Sequence, residues 1–197
     1  MRQGLNTKER IFQAALKIFA ENGYEGARID KIAEAVGINK ASLYFHFKSK
    51  EEIFKELFQN IITEYRIKMK MIVTDGKDFP IKDRLKNIYK EYLEYNLGNT
   101  EMEFWNRIYY LPPPFLKDEI ISITSDTKKE FVSDLTQIME EGILRKELRE
   151  LDAYDMANTF YYVLTCIDLS ADLMKKEAAL QDMDHCFEVI WTGIKGS

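Results

Sequence analysis

From Lys40 to Phe47 the chain reads KASLYFHF, which places an ammonium, a hydroxyl, a phenol, an imidazole and a small residue within about two helical turns. Ammonium groups, hydroxyls and helix-terminal amides hydrogen-bond phosphate. Small side chains let a helix approach a major groove closely enough to touch base edges or thymine methyls. Leu43 and Phe47 are one turn apart and suffice to anchor the stretch to a core, which leaves Lys40, Ala41, Ser42, Tyr44, Phe45 and His46 pointing outward in varying degree. An outward Tyr-Phe-His run gains nothing from water, whereas DNA offers each of these groups a partner. The competing reading packs Tyr44 and Phe45 on the following helix and treats the lysines as ordinary surface.

The surrounding segments have the spacing needed to position that stretch. Ile29, Ile32, Ala33 and Val36 recur every three to four residues and share one helix face. Gly37 supplies the left-handed corner that ends that helix, Ile38 turns inward, and Asn39 caps the next helix. Ahead of them, Asn6 or Thr7 caps a helix whose apolar face is Ile11, Ala14, Ala15, Ile18 and Phe19, ended by Asn22-Gly23. Behind them, Ser49 caps a fourth helix with Glu51 and Glu52 in its positive first turn, and Phe54, Leu57, Phe58, Ile61, Ile62 and Tyr65 form its continuous apolar stripe. This long helix is the expected mechanical link between the head and the rest of the chain.

Taken in order, KERIFQAALKIFAENGYEG, IDKIAEAVGI, NKASLYFHF and SKEEIF resemble the N-terminal domain of TetR-family transcriptional regulators from Thr7 to Ile61. The close resemblance covers a little over a quarter of the chain; beyond it only an all-helical layout is shared. The resemblance implies DNA contacts at Arg28, Asn39, Lys40, Ala41, Ser42, Tyr44, His46 and Lys50, with Phe45 beside them. By their chemistry, Tyr44, His46 and Lys50 are expected mainly at phosphates, and Lys40, Ala41 and Ser42 at base edges or their neighbours. The sequence departs from the family near Ala27 and Arg28, where a threonine or serine usually caps the second helix. Arg28 is expected either to reach a phosphate or the minor groove itself, or to fold back on Glu25 or Asp30.

Charge agrees with a nucleic-acid reader. Residues 1–50 hold nine Lys/Arg against five Asp/Glu, a net of +4, so the overall −5 leaves −9 on the remaining 147 residues. A basic head on an acidic body offers one end to a polyanion. With 46% hydrophobic residues, four prolines and nine glycines, the chain suits an all-α protein. The expected plan is a three-helix helix-turn-helix domain over residues 1–50 and a larger helical ligand-binding and dimerisation domain over 51–197. No apolar run approaches the ~18 residues of a membrane helix, and no secretory segment opens the chain, so a cytoplasmic protein without membrane partners is expected. Cys166 and Cys186 sit in apolar helical patterns and are expected to be buried thiols. Asp182, Asp184, His185 and Cys186 are neighbours in sequence but diverge around a helix, which makes a poor chelate; neither metal nor cofactor is expected. No phosphate loop, GxSxG or catalytic cluster is present, so no enzyme is expected.

Beyond the head, helices are expected at about Lys82–Leu97, through EMEFWNRIYYL, over Leu116–Gly142, Ala153–Lys175 and Leu180–Ile194. Phe104, Ile108 and Leu111, with Trp105 and Tyr109 slightly turned away, make the sixth helix apolar over a wide arc that should be buried or line a cavity; Pro112, Pro113 and Pro114 end it. The last two helices resemble the pair through which the family dimerises, with Tyr154, Ala157, Tyr161, Leu164, Asp168 and Ala171 on one face and Phe160, Val163 and Ile167 on the other. The resemblance further implies a palindromic double-stranded operator and a small-molecule inducer, hydrophobic in character, that releases the DNA. Candidate ligand contacts are Trp105, Tyr109, Tyr110, Phe115, Met139, Tyr161 and Tyr162, and nearby Glu101, Glu103 and Asp168 would suit a lipophilic cation. The alternatives are an acidic helical scaffold that retains a degenerate helix-turn-helix, and an enzyme using the body cavity.

Overall fold

The computed structural model describes residues 6–171 and 176–196. Among them are α1 (Thr7–Gly26), α2 (Ile29–Val36), α3 (Lys40–His46), α4 (Lys50–Thr74), α5 (Ile81–Asn96), α6 (Thr100–Tyr110), a 3-10 turn (Pro114–Leu116), α7 (Lys117–Leu144), α8 (Ala153–Ala171) and α9 (Lys176–Ile194). The only extended pairing among the described residues is an isolated bridge from Leu148 to Lys195. The fold is all-α, and the helices fall where the periodicity predicts, within a few residues. The expected run of the eighth helix to Lys175 reaches residues 172–175, which lie outside the described residues, as does the side chain of Ala171. Two compact units result: Met1–Tyr65 with Gly98–Ser122, and Arg66–Leu97 with Ile123–Ser197.

In the first unit, α1 opens with a reciprocal cap. Asn6 Oδ1 accepts from the Glu9 amide at 3.0 Å and the Glu9 carboxylate accepts from the Asn6 amide at 2.8 Å. Ile11, Ala15 and Phe19 form its buried face. Gly23 breaks the helix at φ 69, ψ 177, a conformation open essentially to glycine alone, and a Cβ there would also lie 3.1 Å from Arg107 Nε. The continuous helix therefore ends at Asn22-Gly23 as expected, and a separate turn follows to Gly26, closed by the Ala27 amide on the Gly23 carbonyl at 3.2 Å. α6 lies along α1, and Phe54 of α4 sits among four rings, its centroid 4.9 Å from Phe19, 5.1 Å from Tyr24, 5.2 Å from Phe104 and 6.4 Å from Phe115. Such aromatic packing buries large area in edge-on geometry.

The sixth helix follows its expectation on one side: Met102, Phe104 and Ile108 are buried, and Leu111, 75% exposed, lines a cavity with Phe104 and Ile108, whereas Tyr109 and Tyr110 are exposed. α1 and α4 cover its buried side, and Pro112, Pro113 and Pro114 form the cavity wall next to Leu111.

The second unit is centred on α5, whose Ile81, Leu85, Ile88, Tyr89, Tyr92 and Leu93 are buried. The Tyr89 hydroxyl donates to the Phe160 carbonyl at 3.0 Å, and its ring lies 4.1 Å from Phe160 and 5.8 Å from Phe187. Burial pushes this phenol well above its ordinary range. Asp168 accepts from Asn96 Nδ2 at 2.9 Å. Met139, a candidate ligand contact, is fully buried. Two expectations change here. Neither cysteine is a buried thiol, since Cys166 is exposed and Cys186 half-buried. On α8, Ala157 and Leu164 of the expected partner face are buried together with Phe160 of the opposite face. The arc of α8 occupied by its own unit is broader than the spacing suggests, because both α5 and α9 pack on it.

Candidate nucleic-acid interface

The turn between α2 and α3 is built from local chemistry. Gly37 takes the left-handed conformation (φ 73, ψ 30), and the Ile38 amide returns to the Ala33 carbonyl at 3.0 Å, satisfying an open end of α2. Arg10 donates to the Val36 carbonyl and fastens that end to α1. Asn39 Oδ1 accepts from the Ser42 amide at 2.7 Å and starts α3. Leu43 (0% exposed) and Phe47 (1%) anchor α3, Phe47 edge-on to Phe12 at 5.2 Å. α4 then begins with a second cap: Ser49 Oγ accepts from the Glu52 amide at 3.0 Å while the Glu52 carboxylate accepts from the Lys48 amide.

With α3 held this way, Asn39, Lys40, Ala41, Ser42, Tyr44, Phe45 and His46 are all exposed, Phe45 at 88%. Lys40 Nζ lies 5.8 Å from the Tyr44 ring, so cation and phenol occupy one edge of the helix. Arg28, also exposed, is folded onto Asp30, with Nη2 to Oδ2 at 2.6 Å and Nε to Oδ1 at 3.1 Å. That hydrogen bond lowers the Asp30 carboxyl from its usual range and raises the guanidinium. Both groups are in water, where such a pair is weak, and a phosphate can take the carboxylate's place. Lys50 departs from the expected pattern. Its ammonium is turned onto the Tyr24 and Ala27 carbonyls at 2.7 and 3.2 Å. Lys48, absent from the expected set, is exposed between α3 and α4; the KSK run was its signal.

The aromatic ligand candidates divide between the units. In the first, Trp105 stacks between Phe58 at 5.9 Å and Tyr109 at 6.4 Å, Tyr110 is exposed and Phe115 lies against Tyr24 at 4.8 Å. A cavity of about 220 Å³ opens in this unit beside Tyr24, Phe54, Phe104, Arg107 and the three prolines. In the second, Tyr161 packs on Phe131 and Tyr162, and Lys128 Nζ sits 4.2 Å over the Tyr162 ring and 2.7 Å from its hydroxyl. A lysine therefore already faces the rings that a lipophilic cation would need. The Glu101 carboxyl is raised by partial burial and by Glu64. Its folded form keeps the proton over a pH window in which the unfolded chain has released it, so stability should fall as pH rises through that window. Glu101→Gln is expected to remove that fall and to be more stable than the parent at neutral pH. Urea unfolding at acidic and neutral pH checks this, and identical pH profiles for the two proteins would reject it.

A profile described as "Bacterial regulatory proteins, tetR family" matches residues 11–57. The biofilm operon icaADBC HTH-type negative transcriptional regulator IcaR of Staphylococcus epidermidis is 43% identical over 53 residues, 27% of this chain and 29% of that protein. Its counterpart from Staphylococcus aureus strain Newman is 27% identical over 183 residues, 86% of this chain and 94% of that protein. In three dimensions the chain is similar to a TetR transcriptional regulator from Chloroflexus aurantiacus, with a TM-score of 0.72, 21% identity and full coverage of both chains. It is also similar to FadR from Bacillus subtilis in complex with stearoyl-CoA, with a TM-score of 0.68, 21% identity, and 94% of this chain and 98% of that one covered. Residues 11–57 thus carry the N-terminal domain of TetR-family transcription regulators, with α2 and α3 as its helix-turn-helix, on a chain whose whole fold is similar to that of such regulators.

Proposed function

We propose that the chain is a cytoplasmic, ligand-responsive repressor that binds a palindromic operator as a homodimer and is released by a hydrophobic small molecule. In this reading residues 1–50 are the DNA-binding domain and 51–197 the ligand-binding and dimerisation domain. The observation that carries it is the division of α3: Leu43 is buried and the polar, cationic and aromatic remainder is exposed. Arg28, Asn39, Lys40, Ala41, Ser42, Tyr44, Phe45 and His46 are assigned to DNA, with Arg28 moving from Asp30 to a phosphate. The negative regulation named for the staphylococcal relatives supports repression, and the stearoyl-CoA bound by the Bacillus neighbour supports a lipophilic ligand. Trp105, Tyr109, Tyr110, Phe115, Tyr161 and Tyr162 are the aromatic surfaces offered to it. This reading assigns the chain no catalytic role.

The dimer is assigned to α8 and α9, through residues left uncovered in one chain. Cys166 and Leu169 are exposed along α8, and His185, Val189 (74% exposed) and Gly193 along α9, each at three-to-four-residue spacing. Nothing lies within 4 Å of a Cβ placed on Gly193, which leaves room for close helix approach. A two-fold pair spaces its heads by roughly one helical turn of DNA or more, 34 to 36 Å. Leu169→Glu with Val189→Glu is expected to give monomers by analytical ultracentrifugation and to remove operator binding, since one head reads too few base pairs. A fully dimeric double variant would move the interface elsewhere. The reading as a whole is tested by fluorescence anisotropy with DNA flanking the protein's own gene against scrambled DNA at two salt concentrations. Tight, salt-sensitive, selective binding is expected; absence of binding at low salt would favour the scaffold.

A further inference from the structure

We infer that Lys50 is a positioning residue that braces the recognition head and makes no contact with DNA. The inference rests on the functional reading above and assigns Lys50 a part that reading does not need. Its ammonium has three donors. One reaches the Tyr24 carbonyl at 2.7 Å and one the Ala27 carbonyl at 3.2 Å, while the ammonium lies 4.2 Å from the centre of the Tyr24 ring. Two hydrogen bonds and an aromatic face satisfy it. Both carbonyls belong to the end of α1, where helix geometry supplies no amide partner and the dipole favours a cation. Lys50 is half-buried, whereas every residue assigned to DNA in α3 is exposed.

The gripped segment leads directly into Arg28 and α2, and Lys50 is the first residue of α4. One side chain therefore ties the start of the α2–α3 pair to its end, across 26 residues in sequence to Tyr24 and 23 to Ala27. Arg107 adds a second cation to the same helix end, Nη1 donating to the Ala20 carbonyl at 3.2 Å. A phosphate contact by Lys50 would have to draw its third donor away from the Tyr24 ring or take one from a carbonyl, and the tie on α2 and α3 would weaken just as they dock.

Two experiments separate brace from contact. In the first, Lys50→Met and Lys40→Met are titrated with operator and scrambled DNA over a salt series. A lost phosphate contact lowers the slope of log affinity against log salt by about 0.9 for each phosphate released. Lys50→Met is expected to keep the parent slope and scrambled-DNA affinity but lose roughly tenfold in operator affinity, a loss of selectivity that general destabilisation would not cause. Lys50→Arg, which keeps paired donors, should restore most of it. A reduced slope, with operator and scrambled affinities falling together, overturns the inference.

The second experiment uses the wild-type protein and needs no variant to fold. Lysines are acetylated at low reagent excess and read by mass spectrometry with and without operator. Lys50 should react slowly in both states, whereas fast reaction when free and protection on DNA would overturn the brace. Failure of the wild-type protein to bind any DNA overturns the functional reading and with it the role in recognition. Labelling of Lys50 in the free protein still decides whether the ammonium is held.

Discussion

Lys40→Ala combined with Tyr44→Ala is expected to lower operator affinity on the order of a hundredfold, with no loss of thermal stability. Both side chains are exposed in the free protein, so their removal leaves no cavity and orphans no buried partner. In the proposed dimer each substitution removes two contacts, and a lost phosphate contact also lowers the salt slope by about 0.9. The two sites are coupled, with the ammonium 5.8 Å from the ring, so the double variant should lose less than the sum of the singles. Anisotropy titrations of both singles and the double at two salt concentrations measure all three quantities. Unchanged operator affinity in a folded double variant would transfer recognition away from α3.

The head was legible because its determinants are local. Asn39, Gly37, Leu43 and Phe47 act over one to two turns, and the structure fulfils the cap, the left-handed corner and the anchors read from their spacing. What spacing cannot supply is the distant partner. Nothing near Lys50 in sequence announces the Tyr24 carbonyl that its ammonium reaches. Apolar periodicity failed in the complementary way at Cys166. It identifies a face that ought to be covered but not whether one chain covers it, and this thiol faces outward in the single chain. At Met139 spacing is silent on depth in the same way, and the side chain is fully buried.

Arg84 shows the same limit in the second unit and leads to the largest stability effect. Its position in KDRLKN looks like ordinary helix surface, yet Arg84 is 5% exposed, with Nη1 2.9 Å from Glu141 and Nη2 3.2 Å from the Val73 carbonyl. It fastens the last turn of α4 to α7 inside the unit, and Glu141 is held in turn by Arg145. Glu141→Ala would leave a buried guanidinium with one carbonyl for company, and its Nε already lacks a partner. Breaking a buried pair costs about 3–5 kcal/mol. The lower end applies here because the Glu141 side chain is 35% exposed and water can reach the gap. A Tm lower by on the order of 5–10 °C is expected. Arg84→Met with Glu141→Leu removes both charges together, and apolar replacement of such a pair is often neutral or stabilising. The double variant should therefore recover most of the loss. If it melts as low as Glu141→Ala, the carboxylate's contribution lies in its contact with Arg145, and Arg84→Met alone should then melt close to the parent.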